Sequence, residues 1–239
     1  MRPENRQDTA QQTGIDRAFL RARLAAPRSR DLRSDVTNGL RLIKSPALKP
    51  APLAVLQVDT ATAVPYDQVP EMTPIPAAVL VPLIERCEGY TVLLTQRTAE
   101  LKAHAGQISF PGGRIEPTDA DAVAGALRET EEEVGLAAAH IEIVGQLDPY
   151  LTITGFNVTP VVGVVTPPFD LRPDSVEVAD IFEVPLAFFM DPANHQRHSK
   201  VLDNGVTRAY YAIPYGERYV WGATAAMLMN LYEVLTAGT

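Results

Sequence analysis

A mixed β-sheet covered by helices on two faces, an α/β fold, is what this 239-residue sequence predicts. Three observations predict it. From Pro76 onward, short apolar and β-branched runs recur between turn residues, so strands dominate that part of the chain. Two longer segments, Thr118 to Glu133 and Thr224 to Leu235, have the composition and periodicity of helices. These helices are spaced among the strands so as to cover two faces of one sheet. Hydrophobic residues make up 46% of the chain, enough to build a buried core.

The elements follow in order. Residues 1–70 read as an irregular, partly helical extension, basic and Pro-rich, ahead of a principal domain over 71–239. Arg17, Arg21, Arg23, Arg28, Arg30, Arg33, Arg41 and Lys44 give the extension a local positive excess. Ile15, Phe19, Leu20 and Leu24 recur at helical spacing and predict a short helix over 15–24. Pro46, Pro50, Pro52, Pro65, Pro70 and Pro74 mark an irregular connector. Ala77 to Ile84 and Thr91 to Arg97 then read as strands joined by a hairpin loop from Glu85 to Tyr90. Gln107 to Phe110 is a third strand, followed by a turn at Pro111-Gly112-Gly113. Thr118 is the expected cap of the next helix, with Asp121 three residues on, and Gly135 is its stop. Further strands are expected at 141–147, 158–165, 209–214 and 218–221, with a strand running into a short helix over 183–190 and a final amphipathic helix over 224–235.

Charge and cysteine usage narrow the function. The formal net charge is −8 and the pI about 5.0, which argues against a general nucleic-acid binder. An acidic protein that handles an anion needs local positive charge, and metal ions are one source of it. Cys87 is the single cysteine, so no internal disulfide forms and a reducing compartment is expected. No apolar run reaches the roughly 18 residues of a membrane span. The Arg-rich amino terminus is interrupted by Glu4, Asp8, Asp16, Asp31 and Asp35, unlike an organelle presequence. A cytoplasmic location is expected, without nucleic-acid or membrane partners.

The chemistry concentrates in Arg128-Glu129-Thr130-Glu131-Glu132-Glu133-Val134-Gly135-Leu136. At helical spacing Glu129, Glu132 and Glu133 share one face, and Glu131 points elsewhere. Three stacked carboxylates repel one another, and they lie near the helix's carboxyl end, where the macrodipole disfavours negative charge. A divalent cation reverses that penalty, and carboxylate oxygens suit Mg²⁺ or Mn²⁺. Arg128 is placed to pair with one carboxylate and fix its rotamer. Ala124, Leu127 and Val134 give the helix an apolar stripe, so it packs on the protein instead of standing in solvent. Phe110-Pro111-Gly112-Gly113 precedes it, and such glycines let backbone approach a ligand closely.

These residues resemble the Nudix hydrolase family. Its box runs glycine, five residues, Glu, seven residues, Arg-Glu, an aliphatic, any residue, Glu-Glu, any residue, Gly, an aliphatic. Gly113 opens it here, and Arg128-Glu129, Glu132-Glu133 and Gly135-Leu136 close it. The first half is one residue longer than the general pattern, so the early acid is Asp119 or Glu116, and Thr130 replaces the aliphatic. The longer half is similar to the subgroup that hydrolyses coenzyme A. That subgroup has an upstream signature that is matched, spacing for spacing, by LLTQRTAELKAHAGQISFPGG from Leu93 to Gly113. Thr98 stands where Ser or Ala is usual, and Lys102 where Arg is usual. Val220-Trp221-Gly222 with Thr224-Ala225 is also similar to the subgroup.

The resemblance implies an α/β/α sandwich around a mixed, curved sheet, with Mg²⁺ or Mn²⁺ on Glu129, Glu132 and Glu133. It implies catalytic roles for Glu132 and Arg128, and for a further acid near the apolar run 178–186. Glu177 is the choice for that acid, with Asp174 and Asp180 competing. Arg97, Lys102, Phe110, Gly112 and Gly113 are the expected substrate-binding residues. The implied substrate is a small nucleotide, coenzyme A or an acyl derivative, and a homodimer is a compatible assembly. The alternatives are another nucleoside diphosphate derivative, such as ADP-ribose or NADH, and a Nudix ligand sensor whose basic arm contacts a partner. His104, His195 and His198 read as loop residues, Tyr210, Tyr211 and Tyr215 as strand packing, and Trp221 as a core anchor.

Overall fold

The computed structural model describes residues 14–26, 33–34, 41–42, 71–100, 106–152, 154–201 and 207–237. Lys102 and His104 lie outside the described residues. The chain runs α1 (Arg17–Ala25), β1 (Arg33–Ser34), β2 (Arg41–Leu42), β3 (Glu71–Met72), β4 (Ile75–Arg86), β5 (Gly89–Arg97), β6 (Ile108–Ser109) and β7 (Gly112–Arg114). It continues through α2 (Ala122–Val134), β8 (Ile141–Gln146), β9 (Tyr150–Leu151), β10 (Phe156–Val165), β11 (Val178–Pro185) and α3 (Leu186–Phe189). Strands β12 (Gln196–Val201), β13 (Thr207–Tyr215) and β14 (Arg218–Trp221) precede α4 (Gly222–Thr236).

The main sheet has the order β1-β9-β10-β4-β5-β11 and is mixed, because β4 and β10 run parallel over residues 75–84 and 156–165. Strand β4 is its centre. One edge of β4 is taken by β10; the other is shared by β5, over Leu83–Arg86, and β7, over Ala77–Val79. Between these two pairings the Leu80 N–H donates to the Pro111 carbonyl at 2.9 Å, and β6, paired with β5 at Thr95 and Gln96, leads into β7.

Side chains alternate across β4, as a strand buried on both faces requires. Ala77, Val81 and Leu83 join Leu20 and Leu24 of α1 and Leu228, Leu231 and Leu235 of α4 in one core. Ala78 and Leu80 turn the other way and pack on Ala126 of α2, and Ile84 packs with Val134. Helix α2 therefore covers one face and α1 with α4 the other, which makes the expected α/β/α sandwich. Strands β12, β13 and β14 form a second, antiparallel sheet, and its inward residues Ile213 and Val220 belong to the α1–α4 core.

The expected helix at 15–24 is α1, and it is part of the core. Leu20 and Leu24 are buried, and Leu24 Cβ lies so close to Gly145 that a side chain there would collide with it. Arg17 bridges Glu85 and Glu142, so the helix is also tied to β4 and β8.

Several local expectations are corrected. The cap of α2 is Asp121 itself, not Thr118: its side chain accepts the Ala124 N–H at 2.9 Å. The β4–β5 turn is shorter than 85–90, because the pairing continues to Arg86 and Gly89. Gly112 and Gly113 lie in strand β7, antiparallel to β4, and are not a free turn. His198 sits in strand β12 opposite Tyr210, with their rings stacked at 5.6 Å. Trp221 is 41% exposed and is not a core anchor; the alternation of β14 turns Val220 inward and Trp221 out.

Candidate active site

Helix α2 carries the acidic cluster and β7 sets its position. Gly135 ends the helix in the left-handed region at φ 71°, and its N–H bonds the Glu131 carbonyl at 2.9 Å. Thr130, which replaces the family's aliphatic residue, is fully buried; its hydroxyl donates to the Ala126 carbonyl one turn back at 2.6 Å. That bond satisfies the only polar atom the substitution adds, which is why threonine fits an apolar position.

Each glycine of β7 has its own steric reason. Gly112 has φ 150°, and a Cβ there would lie 2.5 Å from Val79 Cα and closer still to the Ala78 carbonyl. Gly113 faces α2, and a Cβ there would lie 2.6 Å from the Cδ and both carboxylate oxygens of Glu129. The absence of two side chains lets α2 rest its carboxylates on this strand. Glu133 accepts the Gly112 N–H at 3.3 Å and is 5% exposed. Burial pushes the Glu133 carboxyl up to about 7; Gly112 and Arg97 pull it down, while Glu177 and Glu129 push it up. Burial also raises Glu129, which Arg128 opposes.

Arg128 is the hub. Its Nε and Nη2 grip both oxygens of Asp119 at 3.0 Å, and Nη2 also donates to the Arg114 carbonyl at 3.0 Å. Nη1 donates to Glu129 at 3.0 Å and to Glu132 at 2.9 Å. These five bonds use all five N–H donors of a guanidinium. Arg128 thus fastens the loop after β7 to the helix and sets two carboxylate rotamers. The paired guanidinium holds the Asp119 carboxyl below the usual range. Of the two candidate early acids, Asp119 and Glu116, Asp119 is the one that anchors Arg128. Its register with Gly113 signalled this in the sequence, but the extra residue before Arg128 obscured it.

Arg97 ends β5 between two carboxylates, with Nη1 3.6 Å from Glu133 and Nη2 3.4 Å from Glu177. Of the three acids that competed, only Glu177 is brought to the cluster. Asp174 accepts the Val176 N–H within its own turn, and Asp180 pairs with Arg218 at 2.7 Å. Phe110, expected to bind substrate, is buried in the main core.

Glu129 and Glu133 thus stand one turn apart over β7, with Glu132 beside them, outward, its side chain 59% exposed. Among the described residues no three acidic side chains already converge as a ligand set, because Arg128 and Arg97 lie between the carboxylates. The donor chemistry nevertheless suits a hard dication. The carboxylates are close enough to raise one another's proton affinity, and one of them is buried.

The NUDIX domain model matches residues 74–204. The chain is 42% identical over 158 residues to NudL, an uncharacterized Nudix hydrolase of Escherichia coli strain K12, covering 65% of this chain and 80% of that one. A NudL of Shigella boydii serotype 18 is 41% identical over the same shares. Among solved structures, a MutT protein of Methanosarcina mazei Go1 aligns at 25% identity with a TM-score of 0.39, over 48% of this chain and 80% of that one. With the domain matched over more than half of its length, the chain belongs to the Nudix hydrolase family.

Proposed function

We propose that this hydrolase cuts the pyrophosphate bond of coenzyme A or a derivative, giving 4′-phosphopantetheine and adenosine 3′,5′-bisphosphate. One observation carries the reading. The signature from Leu93 to Gly113 keeps every spacing of the coenzyme A subgroup, and its Arg97 stands beside Glu133 and Glu177.

Glu129, Glu132 and Glu133 would hold Mg²⁺ or Mn²⁺, the ions Nudix hydrolases generally use. Bound there, a dication supplies Lewis acidity and lowers the pKa of coordinated water. Arg128 keeps Glu129 and Glu132 in their rotamers, and catalysis suffers without it through their displacement. Arg97 balances the charge of Glu133 and Glu177 and offers its guanidinium to substrate phosphate. Glu177, the most exposed member of the Arg97 group, would be the further acid of the site, binding metal or acting as base. Gly112 and Gly113 leave room for substrate to lie against backbone.

Lys102 favours a second reading, another nucleoside diphosphate derivative such as ADP-ribose or NADH. A lysine keeps the charge of the usual arginine but lacks its bidentate fork for a 3′-phosphate. Rates on coenzyme A, 3′-dephospho-coenzyme A and ADP-ribose with Mn²⁺ separate the two. The proposal expects the highest kcat/KM on coenzyme A; a preference for ADP-ribose removes it. Binding without turnover of any of them would point to a ligand sensor.

A further inference from the structure

Residues 172–178 cross from the end of α2 to the start of β11 and carry Glu177. They are fastened on both sides. The Arg172 N–H donates to the Val134 carbonyl at 2.8 Å, and the Asp174 N–H to the Glu133 carbonyl at 2.9 Å. These bonds satisfy last-turn carbonyls of the helix that carries the acidic cluster. On the other side, the Thr98 N–H donates to the Glu177 carbonyl at 3.0 Å and the Thr98 hydroxyl to the Val176 carbonyl at 2.9 Å. Between the two anchors Asp174 closes the turn on itself. Its carboxylate accepts the Val176 N–H at 2.9 Å, and its carbonyl accepts the Glu177 N–H at 3.1 Å and the Val178 N–H at 2.8 Å.

From this we infer that Asp174 and Thr98 are positioning residues that hold Glu177 at a set distance from Glu133. The inference rests on the role proposed above for Glu177. Val176, the tip of the turn, is 70% exposed, whereas Val178, where β11 begins, is buried and paired with Arg97. At the exposed tip the turn is held by its hydrogen bonds. Among the described residues no hydrogen bond or ion pair joins the Asp174 side chain to Arg97 or the α2 carboxylates; its Oδ1 accepts within the turn. Its charge is incidental and its acceptor oxygen is not. Asparagine offers the same oxygen and alanine offers none. An alanine at position 98 would lack this bond, whereas the threonine hydroxyl makes it.

The test compares Asp174→Ala, Asp174→Asn, Thr98→Val and Glu177→Gln in the full chain. Steady-state rates are taken with Mn²⁺ on whichever of coenzyme A and ADP-ribose the parent turns over faster, with melting curves alongside. Asp174→Ala and Thr98→Val should lower kcat about tenfold with KM little changed, less than the roughly hundredfold of a full 1 Å misplacement because each variant leaves the other anchor in place. Asp174→Asn should retain most of the rate. In a Glu177→Gln background Asp174→Ala should have no further effect on kcat. A fully active Glu177→Gln overturns the reading of Glu177. If Glu177→Gln is slow, the positioning inference is overturned by any of three results: Asp174→Ala and Thr98→Val both as fast as the parent, Asp174→Asn as slow as Asp174→Ala, or losses that simply add to that of Glu177→Gln. Should Asp174→Ala fail to fold, Thr98→Val and Asp174→Asn carry the same comparison.

Discussion

Adding one methyl group at Gly113 should disable the enzyme without unfolding it. In Gly113→Ala the new carbon would stand 2.6 Å from three atoms of the Glu129 carboxylate, and ordinary contact begins at 3.4 Å, so the carboxylate must withdraw by about 0.8 Å. It can do so, because it is the end of a flexible side chain, 19% exposed. The backbone of Gly113 is outside the left-handed region, so alanine adopts it without strain. Withdrawal also breaks the 3.0 Å bond to Arg128. Misplacing a reacting group by this much costs about a hundredfold in rate, and the melting temperature should stay within about 3 °C. The assay is product release from the preferred substrate with Mn²⁺, followed by chromatography, with melting by circular dichroism. Gly112→Ala is the contrasting variant. Its methyl group meets the main chain of β4, which cannot give way, at a φ that disfavours alanine. It should lose about 3 kcal/mol of stability or more. A Gly113→Ala enzyme with full activity would refute the role of Glu129, and one as unstable as Gly112→Ala would refute the steric reasoning.

Three further outcomes are expected. Glu132→Gln should lower kcat by about a hundredfold or more with little loss of stability, since the side chain is mostly exposed and like-charge repulsion is relieved; rate and melting temperature are read together. Leu24→Ala should cost about 2–5 kcal/mol in urea denaturation, because Leu24 is 2% exposed between α1 and the sheet; a neutral result would mean that α1 does not dock in solution. The third concerns pH. The Arg17 guanidinium, with help from Tyr90, holds Glu85 below its usual 4.5. A depressed carboxylate stabilises the fold above the unfolded value and loses that contribution as pH falls through the folded one. The difference in melting temperature between the parent and Glu85→Gln should therefore be full at pH 6 and shrink steadily below pH 4.5; a difference that grows on acidification would reverse the assignment.

The carboxylate helix and its glycine approach were legible in the residues because their information is local. A helix repeats every 3.6 residues, so the spacing of Glu129, Glu132 and Glu133 already places them on neighbouring faces of one turn. Strand positions from 75 to 97 were legible for the same reason, since β-branched apolar runs answer to the nearest neighbours. The strand character of Gly112 depended on pairing with Val79, more than thirty residues earlier, and local patterns carry no record of that; the Asp121 cap and the tight hairpin are themselves local, but composition alone did not choose between Thr118 and Asp121 or between a longer and a shorter loop.

By itself the sequence determined which helix bears the acids, that glycine must precede it, and that the chain is an α/β protein of the Nudix type. Tertiary structure alone decided which distant acid joins the cluster. Glu177, Asp174 and Asp180 are equivalent in composition and nearly so in position, yet only Glu177 is carried to Arg97. It likewise decided that Asp119 would anchor Arg128 and that Trp221 would face solvent. The physical reason is the same each time. A charge finds its partner through the packing of elements remote in sequence, and a side chain's face is set by the strand or helix it is laid against.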